Sequence, residues 1–276
     1  MLASDGLDSF YRGPLAERLA QGMATLGMPV TLGDLQAHRA RRPGPLTLQH
    51  QQGTLWNLAP PTQGLVSLAI LGITDRLKMA DADDAQTVHR IVEATKRAFA
   101  LRDAHITDPR HLDVDVQQLL TPEALQPLAD SIDDASASPW GGGKGPGDTV
   151  WMGVVDNSGL AVSFIQSIYH EFGSGVVLPD TGIVWQNRAG RPSASIRSIS
   201  LALAPGKQPF HTPQPCRRPP ERWPGDGLWL DGRRRSAANA GGAVYLAISC
   251  RGCRCRRASP VRAGFWAAPG ASPPIH

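Results

Sequence analysis

The chain has 276 residues, 41% of them hydrophobic and 19% charged, and a net charge of +4. This suits one large or two small globular domains of ordinary composition. No apolar run approaches the roughly 18 residues of a membrane span. The opening MLASDGLDSFYRG has no basic segment leading into an apolar core, so no signal peptide is legible and the expected compartment is the cytoplasm. The charge is split. Residues 213–276 hold eleven arginines, no lysine and three acids (Glu221, Asp226, Asp231), a net of +8, which leaves −4 for the rest. Cys216, Cys250, Cys253 and Cys255 all lie in that tail.

Residues 1–132 read as mostly helical with one hairpin. Pro14 to Leu26 places Leu15, Leu19, Met23 and Leu26 at helical spacing. Thr31 to His38 reads as a short capped helix. Leu46 to Gln49 and Thr54 to Leu58 read as short strands around Gln52-Gly53, and Gln63 to Ile73 as an apolar helix. Asp83 to Arg102 is the clearest helix, with Val88, Ile91, Val92, Thr95 and Phe99 on one face. Thr121-Pro122 is a helix start, a cap followed by proline in the first turn.

The stretch DDASASPWGGGKGPG, residues 133–147, is small, polar and glycine-rich, so a mobile, exposed linker is expected over 133–148. Two strands follow, Thr149 to Val155 and Ala161 to Ile168, joined by the turn Asp156-Asn157-Ser158-Gly159. Both are nearly continuous apolar runs, which predicts a sheet covered on both faces and layered between helices.

A loose linker running into a fixed strand suits self-cleavage between Asp148 and Thr149. The Thr149 hydroxyl would attack the Asp148 carbonyl in an N→O acyl shift, and the ester would hydrolyse. The new α-amine, with an ordinary pKa of about 7.7–8.0, would then serve as base to the hydroxyl on the same residue. Such a nucleophile attacks acyl substrates and needs donors for the oxyanion. The alternative reading makes Thr149 one more β-branched residue opening a strand.

The run GDTVWMGVVDNSGLAVSFIQSIYHEFGSGVVLPDTGIVWQNR resembles the start of the small subunit of the gamma-glutamyltranspeptidase family, as does LALAPGKQPFHT at 201–212. Upstream, FYRGPLAERLA, APPTQGL and IVEATKRAFALRDAHITDP resemble the later part of that family's large subunit. The resemblance implies an α+β N-terminal-nucleophile hydrolase, an αββα four-layer sandwich, here incomplete. It divides the chain into a large-subunit-like region at 1–132, a linker at 133–148 ending at the processing site, a small-subunit-like region at 149–212, and a tail. It implies a precursor cleaved into two fragments that remain together as a heterodimer. The implied reaction moves a γ-glutamyl group from a small amide such as glutathione to water or an amino acid. No cofactor, metal, nucleic acid or membrane partner is implied, although many members are exported.

By resemblance, Thr149 falls on the nucleophile and Ser167 on the residue that holds its amine. Asn187 lies in the segment that helps to bind the glutamyl end, and the Gly173-Ser174-Gly175 turn also matches. Tyr169 stands where well-known members have an asparagine that contacts substrate. Arg188 stands where a glutamine often binds the substrate α-amino group, and Arg191 stands near an expected acid. These departures point to a divergent branch whose acyl group differs, as in the related cephalosporin acylases.

After Thr212 the resemblance stops, and arginine, proline, glycine, cysteine and tryptophan rise together. Out-of-frame reading of GC-rich DNA would produce that mixture. Back-translation of Trp223 to Val244 one nucleotide later, and from Ile248 two nucleotides later, can spell family-like segments. Frameshifts near Thr212 and Leu246 are therefore expected, with residues 213–276 disordered. A non-enzymatic product of a disrupted gene is a third reading. Without the family's oxyanion glycines and its carboxylate-binding arginine, the chain as written is expected to be inactive or barely active.

Other signals favour plain readings. Lys144 in the Gly141–Gly147 run is followed by Gly145, not Ser or Thr, so the run is a linker rather than a phosphate loop. The tail cysteines lack a second ligand cluster, and the histidines form no H-E-x-x-H spacing. Arg233-Arg234-Arg235 imitates a nucleic-acid signal without context. Asp81, Asp83 and Asp84 are helix-start acids, while Glu93 and Asp103 are structural carboxylates.

Overall fold

The computed structural model describes residues 2–51, 53–139, 150–158, 160–169, 172–187 and 204–211. Two short helices, α1 (Leu2–Asp5) and α2 (Ser9–Arg12), lead into α3 (Pro14–Thr25). Proline opens α3 where its missing N–H is not needed, and Leu15, Leu19 and Met23 face inward. Helix α4 (Leu32–Ala37) starts from a capping box. Asp34 N donates to Thr31 Oγ1 at 3.2 Å, and Thr31 N donates to Asp34 Oδ2 at 2.8 Å.

Strands β1 (Leu46–His50) and β2 (Gly53–Asn57) form an antiparallel hairpin in the register Leu48↔Leu55. Helix α5 (Gly64–Thr74) is apolar all round and every one of its residues is buried, as a central core helix should be. Helix α6 (Asp84–His105) is capped by Asp83, which accepts from Gln86 N at 2.8 Å. Helix α7 (Pro122–Asp130) is capped by Thr121. A second antiparallel hairpin joins β3 (Val150–Val155) and β4 (Ala161–Gln166). Its turn is set by Asp156 Oδ1, which accepts from Ser158 N at 2.8 Å and Leu160 N at 2.9 Å.

One apolar cluster surrounds α5 and takes in β1, β2, α6 and α7. A smaller one joins Leu15, Ala16, Leu19, Met23 and Leu35 to Leu178. The elements read from the sequence are present, with two corrections. Val88 and Val92 are exposed at 61% and 46%. Thr95 is buried and Ile91 and Phe99 pack on the core as read, and Glu93, Ala94 and Ala98 complete the inward face. Small residues let α6 lie close against α5, and the bulkier valines turn outward. Secondly, the sheet expected to be covered on both faces is, among the described residues, two separate two-stranded hairpins. Met152, Val154, Val162 and Phe164 share one face of β3–β4 and are exposed. The chain is α+β, and the four-layer arrangement is not present among the described residues. No described helix is long and apolar enough to cross a membrane.

Candidate functional site

Thr149, Asp148 and Arg188 lie outside the described residues, as do Lys144, Arg191, Arg233–Arg235, the four cysteines and the expected frame changes. Ser167, Tyr169 and Asn187 are described, and the backbone brings them together at the end of β4. Tyr169 N donates to Ser167 Oγ at 2.9 Å. Asn187 N donates to the carbonyl of Ile168 at 3.0 Å. Tyr169 has φ +74°, a left-handed conformation rare for an aromatic residue. Backbone strain of this kind collects where a site dictates side-chain direction.

The loop 172–187 carries Asn187 back to β4. Ser174 N and Oγ both donate to the Trp185 carbonyl at 2.8 Å, and Trp185 N donates to Val176 O at 2.8 Å. Gly173 is required here. Its φ is +57°, and a Cβ would sit 2.4 Å from the Trp185 oxygen. Further round the loop, Leu178 is fully buried against α3 and α4. The Asn187 backbone is therefore referenced to the first helices of the chain.

A second tie joins residues 204–211 to the helical region. The Asp108 carboxylate, fully buried, accepts from Arg110 N at 3.0 Å, Arg110 Nη2 at 2.6 Å and Gln208 N at 2.7 Å. Arg110 also donates to the Gly206 carbonyl. His211 N donates to Pro61 O at 2.8 Å, and Phe210 packs on the main core. The Arg110 hydrogen bond, against the opposing effect of burial, holds Asp108 well below the usual carboxylate range.

Upstream of the linker, the Glu93 carboxylate is 1% exposed and paired with Lys96 and with Arg97 Nη1 at 2.5 Å. Burial pushes this carboxyl up, but hydrogen bonds from Lys96, Ser138 and Arg97 outweigh it and hold the pKa at about 2. Glu93 is thus a structural carboxylate, as read from the sequence. Asp103 pairs with Arg102 Nε at 2.7 Å. Sequence reasoning missed the Asp108–Gln208 tie, since no local pattern couples positions a hundred residues apart. Among the described residues no group of three or more metal-ligating side chains gathers.

Residues 1–217 match the model of the gamma-glutamyltranspeptidase family. The chain belongs to that family. Its relatives include the oxamate amidohydrolase proenzyme of Klebsiella pneumoniae subsp. pneumoniae, 93% identical over 216 residues, which are 78% of this chain and 41% of the relative. The glutathione hydrolase-like YwrD proenzyme of Bacillus subtilis is 34% identical over 222 residues, with the same shares covered. Among solved structures, the cephalosporin acylase from Bacillus halodurans superposes with a TM-score of 0.68 at 34% identity, over 78% of this chain and 39% of the acylase. The chain thus spans about 41% of the length of the curated relatives it matches. The family is one of enzymes, and its members range over more than one acyl chemistry by name.

Proposed function

We propose that this chain carries the nucleophile-bearing part of a self-processed amide hydrolase whose substrate is a small carboxylate-bearing amide, oxamate being the leading case. The observation that carries this reading is the 93% identity over 216 residues to an oxamate amidohydrolase proenzyme. Residues 1–132 would contribute the large-subunit-like region, 133–148 the linker, and 149–212 the small-subunit-like start. The two fragments would stay together as a heterodimer. The exposed apolar face of β3–β4 suits a further layer packed on it, as a four-layer sandwich requires.

The chemistry follows from one residue. Cleavage after Asp148 would leave Thr149 with a hydroxyl and an amine. Ser167, which the resemblance sets on the residue that holds the amine, would hold it here. The hydroxyl oxygen attacks the amide carbon while its proton passes to the amine. The tetrahedral oxyanion collapses, the C–N bond breaks, and the amine returns the proton to departing ammonia. Water then attacks the acyl ester by the same route in reverse and restores Thr149. Arg188 would pair with the carboxylate of the substrate, a contact for which a planar guanidinium is well shaped. Tyr169 and Asn187 would line the acyl side. A tyrosine in place of an asparagine shortens the space for a long acyl group, in keeping with a two-carbon acid.

The γ-glutamyl reading is retained as the second candidate, because the family model and the Bacillus subtilis relative favour it. A chimera in which residues 1–217 replace the matching segment of the Klebsiella proenzyme tests both. The expected result is a fragment beginning at Thr149 by intact mass, ammonia release from oxamate, and loss of both in Thr149→Ala. Faster turnover of a γ-glutamyl anilide than of oxamate would reverse the ranking. Cleavage that persists in Thr149→Ala would remove the nucleophile assignment.

A further inference from the structure

One stripe of α6 grips the chain just ahead of the proposed processing site. His89 Nε2 lies 2.8 Å from the Asp133 carbonyl, and Arg90 Nε donates to Asp134 Oδ1 at 2.8 Å. Arg97 donates to Ser131 Oγ at 3.0 Å and to Ser131 O at 2.7 Å. The strongest hold is at Ser138. Its N–H donates to Glu93 Oε1 at 3.3 Å, its carbonyl accepts from Lys96 Nζ at 2.5 Å, and its hydroxyl accepts from Arg97 Nη1 at 3.1 Å. Residues 133–139 are mostly exposed, as their composition predicts, yet they are tied down.

A buried carboxylate between two cations is a poor way to gain stability, because desolvation offsets most of the attraction and apolar residues would pack as well. What such a cluster does supply is a fixed position. The residues at 89/90, 93 and 96/97 recur at helical spacing, so they form a rail along one face of α6. Apart from Arg90 Nη1, which donates to the Lys78 carbonyl at 2.8 Å, these hydrogen bonds from the rail to residues outside α6 go to residues 131–138.

We propose that Glu93, with Lys96 and Arg97, is a positioning device for self-cleavage: it anchors the chain at Ser138, so that the Asp148–Thr149 bond is presented from a fixed point. This rests on the processing site proposed above. Ten residues run from 139 to 148, so their reach from the anchor is at most about 33–36 Å. Without the Ser138 anchor the nearest fixed point falls back to Asp134, held by Arg90, or to Asp133, held by His89, and the tether lengthens from ten residues to about 14–15. Loop-closure scaling then predicts cleavage about twofold slower from length alone. The effect grows further where the anchor also sets the direction of approach.

The test measures the first-order appearance of the Thr149 fragment in the full chain and in the chimera, beside thermal stability and the kcat/KM of the matured chimera. Glu93→Gln breaks the anchor from the helix side. Asp134→Ala with Ser138→Pro breaks it from the linker side and leaves the pairs within α6 intact, which guards against simple misfolding. Both are expected to slow cleavage at least twofold while the matured enzyme keeps its turnover, a split that a merely structural role would not give. About five glycine and serine residues inserted after Pro139 should reproduce the slowing with the anchor intact. Cleavage at the unaltered rate in the linker-side variant overturns the proposal. Cleavage that survives Thr149→Ala overturns the processing site on which it rests, and so separates the two failures.

Discussion

Residues 2–139 and residues 150–211 solve the problem of burial differently. The first region builds its own core, with α5 wrapped by β1, β2, α6 and α7. In the second, Leu178 is the only fully buried large apolar side chain among the described residues, and four apolar side chains of the β3–β4 hairpin stand exposed. Two-stranded hairpins are marginal alone. The segment that carries the proposed chemistry therefore takes its shape from contacts with the first region, at Leu178 and at Asp108. The same division fits a protein that is to be cut between the two regions. Among the described residues, the part before the proposed cut has its own core, and the part after it is held to the first by Leu178 and the Asp108–Gln208 contact.

The largest expected effects test whether the two regions really differ in this way. Leu71 is fully buried in α5, and Leu71→Ala should cost about 2–5 kcal/mol of global stability, read by urea unfolding. Leu178→Ala should instead release residues 172–187 locally, with faster amide exchange at Trp185 and Asn187 and little change at α5. An equal global loss for both would show one cooperative unit and break the comparison.

Asp108 sharpens it from the polar side. Asp108→Ala leaves the Gln208 N–H without its acceptor, a loss of about 1–3 kcal/mol, felt as detachment of residues 204–211. The pH dependence has a fixed sign. The folded pKa lies below the unfolded value of about 3.9. The contribution is therefore complete above that value and fades as pH falls below it toward the folded pKa. Amide exchange at Gln208 should rise as pH drops below about 4, after correction for intrinsic rates, while exchange in α5 does not.

Local pattern made most of the first region legible. Caps at Thr31, Asp83 and Thr121 marked helix starts, because a side-chain oxygen satisfying the first free N–H groups is a short-range device. Turn chemistry likewise located both hairpins. The inward face of α6 was read correctly at Ile91, Thr95 and Phe99 and misread at Val88 and Val92, where hydrophobicity was taken for burial. Ala94 and Ala98 gave the close contact, and Glu93 was buried between Lys96 and Arg97 of its own helix, with Ser138 N from a distant segment as a further donor. At the candidate site, the resemblance named Ser167, Tyr169 and Asn187, and the fold brings them together. The strained backbone of Tyr169 and the tie from Asp108 to Gln208 depend on tertiary contacts, and no local periodicity encodes them.

Gly173 offers a smaller and more local test. Any side chain there must adopt φ near +57° and meet the Trp185 carbonyl. Gly173→Ala should cost about 1–2 kcal/mol from the left-handed conformation. The loss should appear in exchange of residues 172–187 and leave the unfolding midpoint of α5 nearly unchanged. A shift of the whole unfolding curve would again argue that the two regions are one.

The smallest effect concerns the exposed hairpin face. Val154 is 64% exposed and pairs across the hairpin with Val162. In the chain alone, Val154→Thr removes little buried apolar area, so stability should move by no more than about 0.5 kcal/mol. In the chimera the same hydroxyl would be buried if a further layer covers the face, and the cost should rise to about 1–3 kcal/mol. The difference between the two measurements reports the covering layer directly. Equal small values in both would leave the face uncovered and count against the four-layer arrangement. A large value in the chain alone would mean that the second region buries more of its own surface than its described contacts indicate.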